Sequence, residues 1–435
     1  MYFFYNAALV LAFVVATPYW LYKMLRHGKY RAGLAERLGR VPERVRSAQP
    51  GDVCVWVHAV SVGEVLAISQ LVSELRNTAA GKLRVVVSTT TTTGQNLARE
   101  RFGAENVFYF PLDLGFCIRP YMRALRPKLV VMAETEFWPN FLRKAKRCGA
   151  QVAVANARIS DRSLPGYRRW KGMLARVLRN VDLFLAQSEE DRNRLIEIGA
   201  EPERVQVSGN LKFDVKPPEK LAIVEQLRGA IQKSGGGPVI VAGSTVGWED
   251  KAVLTMFTRL LGEYPNAVLI LAPRKPERFE EVAVLSRTSS LRTWRRSQFD
   301  AASTAVSGGV FLLDSIGELG SLYQLGACAF VGGSLANSGG HNILEPAGFG
   351  VPIVVGPYTH NFRDIVGLFR REDALIELPA GVPEQSATAL YDAVVSILRN
   401  ERNEKLAHMN NVMRSQTGAT QRTAAALNKL LEAAP

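Results

Sequence analysis

FVGGSLANSGGHNILEPAGFGVPIVVGP, Phe330–Pro357, decides the fold. An apolar strand opens into a Gly/Ser loop, a helix begins around Asn342–Glu345, and a second apolar strand follows. Strand, loop, helix, strand is the repeating unit of a parallel sheet. Its strands read as near-continuous apolar runs because helices cover both faces. Free N–H groups at the start of the helix can face a phosphate. Glu345 can accept hydrogen bonds from two ribose hydroxyls. The spacing is neither GxGxxG after a first strand nor GxxxxGK[ST], so the NAD-binding and P-loop fingerprints both fail.

The same rhythm extends outward. Upstream lie PVIVAGS (238–244), NAVLILAP (266–273), GVFLLD (309–314) and ACAFVGGS (327–334). Before them VQVSGNLKFDVKPPEKL (205–221), with its double proline, reads as a linker. A first series precedes it: DVCVWVHAV (52–60), LRVVVSTTT (83–91), NVFYF (106–110), KLVVMAE (128–134), QVAVANA (151–157) and LFLAQS (183–188). The fold class is α/β, with two doubly wound, Rossmann-like domains expected to face one cleft. The expected boundaries are 23–214 and 215–415, with a C-terminal helix over 416–435 that could return to the N-terminal domain. In such sheets ligands bind beyond the carboxyl ends of the strands.

A chain of 435 residues suggests two or three domains. With 47% hydrophobic and 22% charged residues, it is neither disordered, fibrous nor a multi-span transporter. A net charge of +14 calls for an anionic partner: nucleic acid, phosphorylated substrate or acidic membrane surface. The basic residues lack interleaved base-stacking aromatics, so nucleic acid is disfavoured. Cys54, Cys117, Cys148 and Cys328 form no CxxC pair, which fits a reducing compartment and argues against a structural zinc site. The five histidines show no HExxH spacing, so no metal is expected.

Met1–Tyr22 carries no charge and is about the length of a membrane-crossing helix. Tyr2, Phe3, Phe4 and Tyr5 lie at one end, and Tyr19, Trp20 and Tyr22 at the other, like interfacial belts. No basic n-region precedes it, which disfavours a cleaved signal peptide. From Lys23 to Arg46 there are eight basic and two acidic residues. A single-pass anchor over 1–22 with a cytoplasmic catalytic part is expected, and the basic cluster would hold anionic headgroups.

Several strand ends carry chemistry. In HAVSVGEVLA, Glu64 reads either as a first-turn carboxylate favoured by the helix dipole or as a general base. Ser88–Gly94 is a hydroxyl-rich loop suited to sugar or phosphate, or a strand running into a helix cap. Glu134 and Glu136 follow a strand, with Trp138 and Pro139 as a hydrophobic wall. Lys212 would point into the gap between the domains, suited to a substrate carboxylate or phosphate. Arg274 and Lys275 lie just past a strand between two prolines that fix their direction.

HAVSVGE, AETEFWPN, NARIS with Arg162–Ser163, GNLKFD, PRKPERF, GGSLANSGGHNILEPA and GPYTHNF run in order from residue 58 to 362. Together they resemble the 3-deoxy-D-manno-octulosonic acid (Kdo) transferases, GT-B glycosyltransferases that act on lipid A precursors. The resemblance implies inverting transfer of Kdo from CMP-Kdo to a lipid A precursor at the cytoplasmic face of the inner membrane. It implies Glu64 as catalytic base and Glu134 as supporting carboxylate. It places the CMP site at Pro273 and Arg274, at Ile316, Gly317 and Glu318, and at Asn342, Ile343, Leu344 and Glu345. Two departures fall on the donor side. Lys275 stands where the family has His, and the Gly-Ser-Thr-His-x-Gly-Glu run, here Gly243–Asp250, reads with Val246 for His and Trp248 for Glu. One phosphate needs modest positive charge, so no cofactor and no obligatory divalent ion is expected. The alternatives are another nucleotide-sugar donor, such as a UDP-sugar, or a non-catalytic, membrane-tethered binder of anionic glycolipid.

Overall fold

The structure, a computed structural model, describes residues 2–27, 32–46, 52–78, 83–214 and 221–433. It divides into unit 1, Met1–Val215 with Gln416–Pro435, and unit 2, Lys216–Ser415.

Unit 1 holds seven parallel strands: β1 (Val53–His58), β2 (Leu83–Thr89), β3 (Val107–Tyr109), β4 (Leu129–Ala133), β5 (Gln151–Ala157), β6 (Leu183–Ala186) and β7 (Val205–Val207). Their order is β3-β2-β1-β4-β5-β6-β7. Successive side chains on a strand point to opposite faces, and β1 shows this directly. Trp56 joins Phe108 and Phe141 in one core, whereas Val55 and Val57 join Ile68 and Leu71 in the other. The buried Trp56 indole N–H is satisfied by Ser88 Oγ at 2.7 Å, as a buried indole requires. The final helix, Ala419–Glu432, puts Ala419, Ala424 and Leu427 into that second core. Asp214 secures its start by accepting the N–H groups of Gly418 (2.8 Å) and Thr420 (2.5 Å).

Unit 2 is built the same way, from β8 (Val239–Thr245), β9 (Val268–Pro273), β10 (Arg292–Arg295), β11 (Gly309–Leu312), β12 (Cys328–Val331), β13 (Ile353–Val355) and β14 (Ile376–Glu377). The order is β10-β11-β9-β8-β12-β13-β14, again all parallel. Ile240 and Ala242 pack with Phe257 on one face, and Val239 and Val241 with Phe311 on the other.

Three strands have no counterpart in the sequence expectations: β7, β10 and β14. All three are sheet edges. An edge strand has one open side and need not be apolar throughout, so RTWR of β10 shows no such run. The proposed linker is corrected in part. Residues 205–214 belong to unit 1 as β7 and the turn Leu211–Asp214, whose Leu211 is core. The double proline at 217–218 lies outside the described residues. The N-terminal helix α1 spans Tyr2–His27, running past Tyr22 through Lys23 and Arg26. Its segment Tyr2–Tyr19 is long and apolar enough to cross a membrane by length and composition.

Candidate active site

Strand order reverses between β1 and β4 in unit 1 and between β8 and β12 in unit 2. At such a switch point the loops leaving the strand ends diverge and open a crevice. The expected site residues follow these strands or their neighbours.

In unit 1, β1 turns into the helix Val62–Thr78, whose first turn carries Glu64. Glu64 Oε2 accepts the Val60 N–H at 2.7 Å, and Oε1 accepts the Ser61 hydroxyl at 3.1 Å. Glu64 therefore caps its own turn. Burial also pushes its pKa up to about 7, and the negative charges of Glu134 and Glu136 add to the rise. A carboxyl half-ionised near neutral pH is matched to proton transfer. The cap and base readings are compatible in one side chain.

Glu134 follows β4 with φ 55°, the left-handed region that is costly for a residue with a Cβ. Its N–H donates to Ala155 O at 2.9 Å. Its Oε1 accepts from Lys212 Nζ at 2.9 Å. Lys212, read from the sequence as a cation pointing into the gap between the domains, is paired with Glu134 and so is not a lone charge. Burial and Glu134 raise the pKa of Glu136. Trp138 packs near Phe110, ring centroids 5.8 Å apart, and Pro139 opens the helix Pro139–Arg147. His58 is fully buried with Nδ1 3.0 Å from Ser88, and burial pulls its pKa to about 3. It is thus neutral and structural. In the threonine loop, Thr91 caps the next helix by accepting the Gly94 N–H at 3.1 Å, and Thr89 donates to Gln95 at 2.5 Å. The cap reading describes these two hydroxyls.

In unit 2 the organising residue is one the sequence reading passed over. Glu249 opens the helix after β8 and is fully buried. Its carboxylate accepts the N–H groups of Val246 (2.8 Å), Gly333 (2.7 Å), Leu335 (2.8 Å) and Ala336 (3.0 Å). It thereby pins the Gly/Ser loop after β12 to the turn after β8. Glycine is required in that loop, because a Cβ on Gly332 would lie 2.6 Å from Ser244 O. The other side of the loop is held by Asn361, whose N–H donates to Gly339 O at 2.9 Å. Counted from Gly243, the family run puts its Glu at Glu249 and its second Gly at Trp248. Trp248 thus replaces a glycine, and the carboxylate is retained. That count was the signal available in the sequence.

Arg274 leaves β9 with its N–H on Thr245 O at 3.0 Å. Its charge is felt by two residues of the HNILEP segment. His341 is pulled down to about 4 by burial and by Arg274. Burial raises the pKa of Glu345, against the pull of Asn342 and Arg274. Asn342 Nδ2 donates to Glu345 Oε1 at 3.3 Å, and its Oδ1 accepts the Leu344 N–H at 3.1 Å. The helix here is short, Leu344–Gly348, and starts two residues later than Asn342. Ile316 is exposed, and Gly317 has φ 90°. Glu318 is held by the Arg296 guanidinium, Nη2 to Oε1 2.9 Å, and by Ser315. Lys275 is exposed. Among the described residues no three His, Cys, Asp or Glu side chains gather to hold a metal ion.

Two parallel seven-stranded sheets with charged residues at both switch points define the GT-B class of glycosyltransferase fold. The solved UDP-GlcNAc 2-epimerase from Neisseria meningitidis shares that fold, with TM-score 0.58 at 13% identity, covering 88% of this chain and 100% of that one. The solved C-terminal CMP-Kdo binding domain of WaaA from Acinetobacter baumannii is 33% identical, covering 44% of this chain and 98% of that one, with TM-score 0.39. The family model for 3-deoxy-D-manno-octulosonic-acid transferase (kdotransferase) matches residues 32–215. The 3-deoxy-D-manno-octulosonic acid transferase of Haemophilus influenzae is 33% identical over 435 residues, 99% of each chain. The chain therefore belongs to the Kdo transferase family and is a glycosyltransferase.

Proposed function

We propose that this enzyme transfers Kdo from CMP-Kdo to a lipid A precursor of the lipid IVA type, with inversion, in lipopolysaccharide core biosynthesis. The observation that carries the reading is Glu64, a carboxylate at the unit 1 switch point with its pKa near 7. As the acceptor hydroxyl oxygen attacks the anomeric carbon, its proton passes to Glu64. The bond from that carbon to the phosphate oxygen breaks, and CMP leaves. Glu134, fixed by Lys212, supports the charge of the site. Arg274 faces the single phosphate, and Glu345 and Asn342 hold the ribose, with Pro273, Ile343 and Leu344 as walls. Ile316–Glu318 closes round the cytidine. Arg274 supplies the positive charge the phosphate needs, so transfer should survive chelation of divalent ions. Enzyme and acceptor meet at the cytoplasmic face of the inner membrane, to which α1 attaches the protein. The +14 charge favours the phosphorylated acceptor and anionic lipid.

The test is incubation with CMP-Kdo and a tetraacyl lipid A precursor, read by mass spectrometry, with and without EDTA. Products heavier by whole Kdo residues are expected in both arms. Transfer from a UDP-sugar but not from CMP-Kdo would replace the donor assignment.

A further inference from the structure

The chain around α1 is attached to unit 1 at two places. At the start of α1, Tyr5 Oη donates to Asp113 Oδ2 at 2.9 Å and Asn6 Oδ1 accepts from Asn140 Nδ2 at 2.6 Å. Tyr2 Oη accepts from Asn180 Nδ2 at 3.2 Å, and the Arg143 guanidinium lies 4.2 Å from the Tyr2 ring centre. Beyond the helix, Arg37 O accepts the N–H of Leu112 at 2.8 Å, next in sequence to Asp113. Gly33 lies so close to Tyr109 that a Cβ would overlap its ring. The chain thus begins on the segment after β3, is back at β3 by Gly33 and is back on that segment by Arg37. A helix that crosses a bilayer has its ends on opposite sides of an apolar layer about 30 Å thick. With Tyr2, Tyr5 and Asn6 bound to the domain that Arg37 also joins, no such layer can lie between them.

From Ala7 to Tyr19 α1 carries no charged residue, and none of that stretch is buried. Phe3, Leu11, Val14 and Val15 are 78%, 65%, 61% and 70% exposed. An apolar strip of that length is not left to water. Beside its seat, the helices Gly115–Leu125 and Pro139–Arg147 carry a crowd of cations. Burial, together with repulsion from Arg119, Arg147 and Arg143, lowers the Lys144 pKa. Phe116 on the first of these helices is 67% exposed. An apolar strip bordered by clustered cations matches an acyl layer beneath anionic headgroups.

We infer that α1 lies along the surface of an anionic bilayer as an in-plane helix, with its N-terminus on the same side as the catalytic units. This revises the single-pass span expected from length and composition, and it rests on the membrane attachment proposed above. The test uses the full-length chain carrying Cys148→Ala, which removes the one exposed cysteine among the four. A cysteine is added ahead of Met1, and the same chain without it is the control. In inner-membrane vesicles with the cytoplasmic face outward, an impermeant maleimide should label the added cysteine equally before and after detergent. Labelling that requires detergent would overturn the in-plane placement while leaving attachment intact. Failure of the protein to stay with the vesicles would overturn attachment as well. A second arm combines Arg119→Glu with Arg147→Glu. Each cation near an anionic surface is worth about fivefold in binding, so retention on anionic vesicles should fall at least about tenfold and that on zwitterionic vesicles should not change. Equal behaviour on the two lipids would overturn the headgroup assignment.

Discussion

Glu64 and Glu249 hold the same topological post. Each stands in the first turn of the helix that follows the first strand of its sheet, beside the switch point. Their surroundings differ. Glu64 receives one backbone N–H and one hydroxyl and stays partly open, with Glu134 and Glu136 nearby. Glu249 is fully buried and receives four backbone N–H groups from two loops. The number of donors aimed at a carboxylate separates a group that can exchange a proton from one that serves as a structural tie. A saturated carboxylate has no lone pair left for a substrate, and its removal leaves several N–H groups orphaned at once.

The largest expected effect tests that tie. Glu249→Ala should destabilise unit 2 by at least about 4 kcal/mol, since each buried N–H left without an acceptor costs about 1–3 kcal/mol. Calorimetry should show an early unfolding transition for unit 2. A wild-type trace would mean the loop finds other acceptors and the contrast with Glu64 fails.

Glu64→Gln should do the opposite: lower transfer by about 10²–10⁴-fold, the usual worth of a general base, with CMP binding kept. Its folded pKa, near 7, lies above the ordinary value of 4.5. Protonated Glu64 therefore favours the fold below pH 4.5, and that contribution is lost as pH rises to 7 and beyond. The Gln variant cannot ionise and should melt higher than the native enzyme at pH 8, with the difference shrinking toward pH 5. Native-like turnover would remove the base role.

Arg274→Ala should weaken CMP binding tenfold to a hundredfold, because a charge-assisted hydrogen bond contributes about 1.5–3 kcal/mol. Lys275→Ala should cost less. Titration calorimetry that ranks the two the other way would move the phosphate to Lys275. The smallest effect is expected from Lys212→Met. Without the ammonium on Glu134, the negative field at Glu64 strengthens and the acid limb of the pH–rate profile should move to higher pH. A fixed limb would mean that Glu134 does not act on Glu64.

Most of the motifs were legible because they sit at the end of a buried strand, where an apolar run stops and a chemically unusual residue begins. AETE after β4 and PRK after β9 show this. The ties between loops were less legible. Glu249 reads as an ordinary first-turn carboxylate until Gly333, Leu335 and Ala336, more than eighty residues away, are brought to it. Lys212 reads as a free cation for the same reason, since Glu134 is 78 positions distant.

By itself the sequence determined two parallel sheets, the positions of their interior strands and the residues at the strand ends. Burial on both faces imposes a periodicity that is local and therefore readable. Only the tertiary structure decided the edge strands β7, β10 and β14, the return of the helix Ala419–Glu432 to unit 1 and the seating of α1. An edge strand needs no apolar run, and Leu427 would suit any core. Met1–Tyr22 has the composition of a membrane span. What seats α1 on unit 1 is a few hydrogen bonds to Asp113, Asn140 and Asn180, partners that only folding brings within reach.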